Sequence, residues 1–93
     1  MSARFKQDIE DFESGGNVDE IRPRRFRWSQ YPDRDFDYGL VAEEIEQAGY
    51  GWLITRTGDG QPLGIRYEML AIALIPEIQQ LRARVAQLEG GQQ

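Results

Sequence analysis

The chain has 93 residues, with 16 acidic side chains against 11 basic ones, a net charge of −5, and neither cysteine nor histidine. That excludes disulfides, thiolate chemistry and histidine-based metal or general-base sites, and it argues against a nucleic-acid partner. One domain of this size has little core of its own, and oligomerisation is a common remedy.

Residues 1 to 13 place Phe5, Ile9 and Phe12 four and three apart, which predicts a short helix or helical turn with Asp8, Glu10, Asp11 and Glu13 toward solvent. Met1 to Lys6 contains no signal-peptide apolar region, and no apolar run is long enough to span a membrane. The parent protein is therefore expected to stay where it is made or to leave by another route, with no membrane partner. Ser14-Gly15-Gly16-Asn17 reads as a break. Ile21 to Trp28 predicts a strand, with Phe26 and Trp28 on one face, Arg25 and Arg27 on the other, and Pro23 confining its start to an edge or bulge. Tyr31 to Asp35 is a polar turn.

Leu40 to Ala48 predicts a helix whose stripe is Leu40, Val41, Ile45 and Ala48, with Asp37 as its N-cap and Gly49 as its stop. Trp52 to Thr57 and Leu63 to Tyr67 are two β-type runs, and the Asp59-Gly60 pair between them favours a hairpin. A last helix opens near Glu68. Pro76 predicts either a kink or a division into two helices. Gly90 to Gln93 reads as a frayed tail.

Within that last helix, Ala71, Leu74, Ile78, Leu81, Val85 and Leu88 alternate at spacings of three and four, the a/d seam of a coiled coil. With Ile78 at a, Glu77 (g) meets Arg82 (e) of a parallel neighbour, and Arg84 (g) meets Glu89 (e). Two readings of this helix compete: a coil of copies of the chain, or a single amphipathic helix packed on its own domain. Ile78 and Val85 at a, with leucine at d, suit a two-stranded coil. The domain reading is a body over 1–70, a coil helix over 71–89, and a tail over 90–93.

Chemistry has few possible seats. The hydroxyls of Ser2, Ser14, Ser29, Thr55 and Thr57 need a base, and Lys6 is the single lysine, every other cation being arginine. On a helix Ser2 and Lys6 would share a face, so a Ser-Lys dyad competes with two merely solvated side chains. Asp33, Asp35 and Asp37 alternate, but the glycine and closing glutamate of a calcium loop are absent, so they read as a solvated turn; neither metal nor cofactor is expected. Arg22, Arg24, Arg25 and Arg27 form the basic cluster. They read either as partners of the acidic segments or, with Phe26 and Trp28, as a single-strand-binding strand.

The blocks Ile21-Arg22-Pro23-Arg24-Arg25-Phe26-Arg27-Trp28, Asp37 to Ile45, and Gly64-Ile65-Arg66-Tyr67-Glu68-Met69-Leu70, preceded by Arg4-Phe5-Lys6-Gln7-Asp8-Ile9 and followed by the coil, stand in an order that resembles a known family. It is the S74 peptidase family, the intramolecular chaperone domains of phage endosialidase tailspikes and tail fibres, and the resemblance extends over nearly the whole chain.

The resemblance implies a virus-encoded α+β domain at the C-terminus of a fibre protein. It would trimerise in the host cytoplasm, assist folding of the fibre upstream, and then cleave itself off. It also implies a serine nucleophile at the first residue of the released domain and a lysine five residues later. Lys6 matches that lysine, Met1 stands at the serine position, and Ser2 stands one residue too near and where an acid usually follows. Either Met1 replaces the serine or Ser2 is the nucleophile. In both cases the chain is expected to be a product rather than an active protease. The competing functions are a trimerisation or adaptor module without proteolysis and the nucleic-acid strand noted above.

Overall fold

The computed structural model describes residues Ser2 to Gly90. Two small antiparallel hairpins, a short helix and a long C-terminal helix give an α+β fold. The first hairpin pairs β1 (Arg24–Phe26) with β2 (Asp37–Gly39), aligning Arg25 with Tyr38 and Phe26 with Asp37. Strand pairing covers only the middle of the predicted Ile21–Trp28 run. Beyond Phe26 the chain turns, with Tyr31 N–H donating to the Trp28 carbonyl at 2.9 Å.

The short helix α1 (Ala42–Gln47) begins later than the sequence implies, and Asp37 is not its cap. Asp37 lies in β2, where its carboxylate accepts the Trp28 indole N–H at 3.0 Å and the Tyr38 N–H at 2.8 Å. Val41 occupies the N-cap position without a side-chain hydrogen bond, and Leu40 and Val41 precede the helix. Glu43 and Glu44 in the first turn suit the positive end of the helix dipole. The stop does fall where glycine predicts it. Gly49 has φ +94°, its N–H reaches the Glu46 carbonyl at 3.0 Å, and Tyr50 N–H reaches the Ile45 carbonyl at 3.1 Å. That is a Schellman motif, closed as usual by an apolar contact, here between fully buried Ile45 and Tyr50.

A 3₁₀ turn (Gly51–Leu53) leads into β3 (Ile54–Arg56), which pairs with β4 (Pro62–Ile65). The five-residue connection holds its turn through Gly60 at φ +89° and a Thr57 N–H to Gln61 carbonyl bond of 2.9 Å. Both strands are shorter than the predicted runs, because Trp52 and Tyr67 fall in flanking 3₁₀ turns.

A further 3₁₀ turn, Tyr67–Met69, runs directly into α2 (Leu70–Gly90). Pro76 lies inside this single helix of 21 residues and does not divide it. Proline has no N–H to offer the Ile72 carbonyl, but Ile72 is exposed and water can serve it instead. Gly90 still belongs to α2; the rest of the predicted tail, Gly91 to Gln93, lies outside the described residues.

The core is small: Ile45, Ala48, Tyr50, Leu53, Ile54 and Ala73, with Leu40, Trp52, Ile65, Met69 and Leu70 packed around it. Only the first turns of α2 reach it. The Cα radius of gyration is 17.7 Å, against about 12 Å for a compact chain of this length. The accessible surface is 8073 Å², against roughly 5,500 Å² for a compact monomer of this mass.

Candidate functional site

The N-terminal residues singled out for chemistry are exposed and unconnected. A 3₁₀ turn, Ala3–Phe5, is the whole of the predicted helix, and left-handed Asp8 at φ +56° stands among the irregular residues that follow. Ser2 Oγ accepts the Arg4 N–H at 3.3 Å, and extended Lys6 closes the turn with its N–H on the Ala3 carbonyl at 3.0 Å. No hydrogen bond joins Ser2 to Lys6 among the described residues. Met1 lies outside them.

Further along, this N-terminal arm is fixed to the body. The Phe12 and Trp52 rings meet edge to face at 5.0 Å, and Asn17 N–H donates to the Ala48 carbonyl at 2.8 Å, capping α1. Between these points Gly16 lies flat on the Tyr50 ring, and a Cβ there would overlap three ring atoms. A Cβ on Gly49 would meet the Gly16 Cα at 3.0 Å. These two glycines let two backbone segments close over Tyr50. The Tyr50 hydroxyl is buried without a hydrogen-bond partner, and burial, then the carboxylates of Glu77 and Asp19, raise its pKa above the ordinary phenol value. The arm and the Pro76–Gln80 side of α2 border a cleft of about 490 Å³.

The basic cluster is largely engaged within the chain. The Arg24 guanidinium grips the Glu44 carboxylate with two bonds, 3.0 and 2.6 Å, joining β1 to α1. Arg25 and Arg27 both stack over Phe36, at 4.0 and 4.2 Å from its centroid. On the opposite face Phe26 is half-buried, while Trp28 stays half-exposed beside it rather than entering the core. The two hairpins are joined by Tyr67, whose hydroxyl accepts the Leu40 N–H at 2.9 Å and lies against Gly39. Between the hairpins runs a groove of about 500 Å³, edged by Phe26, Tyr38, Val41, Leu63 and Tyr67.

Helix α2 carries an exposed apolar row. Ala73 is its one buried residue, and Leu70, Leu74 and Glu77 are half-buried beside it. From Ile78 onward every described residue of the helix is exposed. Ile78, Leu81, Val85 and Leu88 are 55, 62, 52 and 60% exposed, so the chain's own body does not cover the seam beyond its first heptad. Leu74 is half-buried, and Ala71 is exposed. Of the charged flank, Arg82, Arg84 and Glu89 are exposed and none forms an ion pair within the chain among the described residues. Exposed Ile72 and Ile75, outside the a/d seam, add apolar surface that heptad spacing alone passes over. Among the described residues no helix is long and apolar enough to cross a membrane.

A family model described as the chaperone of endosialidase, the S74 peptidase family, matches residues 2–53, more than half of the chain. The match covers the arm, the first hairpin and α1; the Gly64–Leu70 block and α2 lie beyond it. No curated protein matches the chain, and no solved structure does. On this match, the chain belongs to the S74 peptidase family of endosialidase chaperones.

Proposed function

We propose that this chain is the C-terminal chaperone of a phage tail fibre or tailspike, that it assembles as a parallel homotrimer through α2, and that self-cleavage releases it. The observation that carries the reading is the exposed row Ile78, Leu81, Val85 and Leu88, an apolar surface that a soluble chain covers only by association. Glu77 with Arg82, and Arg84 with Glu89, would then pair between chains. Seam residues alone suit two strands, but Leu70 at g and Ile75 at e widen the apolar arc in the first heptad, as bundles of more than two helices require.

The physical role follows from topology. Pairing strands between three chains is slow, because loop closure precedes any gain from contacts. A coil holding three chains together raises their effective concentration and aligns their register. Removing it after folding leaves the fibre kinetically trapped. In that scheme Lys6 is the base for a serine five residues before it, where this sequence has Met1, with Ser2 as the alternative nucleophile. A module that trimerises without proteolysis is the second reading, favoured by Met1 and by the unconnected Ser2 and Lys6.

Two measurements test the reading. Light scattering across a concentration series should give three chain masses; a stable monomer would refute the assembly. In the full-length precursor, Lys6→Ala should abolish cleavage and leave the assembled mass unchanged, and continued cleavage would remove Lys6 from the chemistry.

A further inference from the structure

In a parallel coil each g residue meets the following e residue of its neighbour. Carrying the register back one heptad puts Leu70 at g and Ile75 at e, so one rung precedes the two charged ones. That rung is apolar, and Met69 to Pro76 contains no charge. The structure makes its two members unlike. Leu70 is half-buried against the chain's own core, whereas Ile75 is 50% exposed on the far side of the helix. The body packs along the Ala73 and Glu77 side of α2, the side on which a neighbour's e residues arrive. Ile72 stands one turn above Ile75 on the outer face and is 47% exposed. In a parallel neighbour it lies level with what precedes Leu70, the Tyr67–Met69 turn at the mouth of the groove between the hairpins. Tyr67 and Leu63 at that mouth are 50 and 69% exposed.

Resting on the parallel assembly proposed above, we infer that the groove mouth is a docking surface for a second copy of this chain. Ile75 of one copy seats on Leu70 of the next, and Ile72 on Tyr67 and Leu63. The interface thus spreads from the coil onto the body. The helix side of this surface, Met69 to Pro76, is continuous with the seam and free of charge, Asp37 and Glu43 lining the groove itself. The chain as a whole exposes about 2,500 Å² more than a compact monomer would, enough for both the coil and this surface to be covered by copies of it.

The absence of native cysteine makes the test clean. Chains carrying Leu70→Cys and chains carrying Ile75→Cys are refolded together and treated with a short bis-maleimide. Leu63→Cys with Ile72→Cys repeats the test on exposed positions that leave the core intact, and Leu81→Cys alone reports on the coil. The expected result is a cross-linked dimer in all three samples, with each mixed pair yielding at least about tenfold more than either member alone. A Leu81 product without either mixed product would overturn the docking surface while leaving the coil standing, and would free the groove for the precursor's upstream chain. Absence of all three would remove the coil and the docking surface together.

Discussion

Replacing Gly16 with alanine adds one methyl group where the structure has no room for it. Gly16 does not have a positive φ, so the backbone accepts alanine and the whole effect is steric. The new Cβ falls on the ring of Tyr50, which is fully buried and whose backbone is fixed by its own N–H bond to the Ile45 carbonyl and the adjacent Gly49 bond to Glu46. Either the ring shifts into Leu53 and Ile45, or the arm lifts and gives up the Asn17 to Ala48 hydrogen bond. Overpacking costs about 1–3 kcal/mol, and lifting the arm loses a hydrogen bond worth about 1 kcal/mol and disturbs the Phe12–Trp52 ring contact, worth about 1 kcal/mol more, so both routes lead to about 2 kcal/mol. At about 4–8 °C per kcal/mol for a domain of this size, Tm should fall by roughly 8–16 °C.

The assay is thermal unfolding followed by circular dichroism at one fixed chain concentration, because association would itself move Tm. Gly15→Ala is the control. It has open space but φ +73°, so it should lose only about 1 kcal/mol to backbone strain. Tyr50→Leu combined with Gly16→Ala should fall well short of additivity, since the shorter side chain makes room. A Gly16→Ala chain melting within about 2 °C of the parent would show that the arm does not lie on Tyr50, and the account of the arm would fail.

Two further outcomes concern charge and burial. Tyr50→Phe removes a buried hydroxyl without a partner and should stabilise the fold by about 1 kcal/mol at neutral pH. Because the Tyr50 pKa is raised in the fold, its contribution is complete below the ordinary phenol value and is lost as pH rises through the folded value. Tyr50→Phe should therefore flatten the alkaline fall in a urea midpoint measured above pH roughly 10, and an unchanged alkaline limb would contradict the burial. Hydrogen bonds from Arg24 hold the Glu44 carboxyl below its ordinary value. That contribution is present above the ordinary value and is lost as pH falls through the folded one. Arg24→Ala should change stability little at neutral pH, because the pair is exposed, yet flatten the acid limb below pH roughly 4.5. An acid limb identical to the parent's would mean that the grip does not persist in solution.

What the sequence discloses here is what depends on near neighbours. Gly49 ends α1 because a left-handed residue is required within one turn of its last carbonyls, and Asp59-Gly60 turns the second hairpin for the same local reason. The α2 seam is legible as periodicity. Asp37 misleads because its partner, the Trp28 indole, comes from across a strand pair, and only the tertiary register brings that donor nearer than a helix end. The Gly16 contact with Tyr50 is equally non-local, so the glycine pair reads simply as a break. Ile72 and Ile75 are missed because spacing defines a stripe but not which arc of the helix the body occupies; Ala73 decides that, and it displaces the free surface toward Ile75. The same-face placement of Ser2 and Lys6 assumes a helix that the arm does not form.

In the far half of α2, from Ile78 to Gly90, every residue is exposed. A helical stretch of about a dozen residues is only marginally stable alone in water, so in the assembly proposed above its persistence would depend on sister strands. In the proposed assembly, secondary structure there would become a count of neighbours: dilute chains would carry a fraying terminus, and chains brought together would carry a rigid rod. An element that holds copies together in this way would thereby register whether enough of them have arrived.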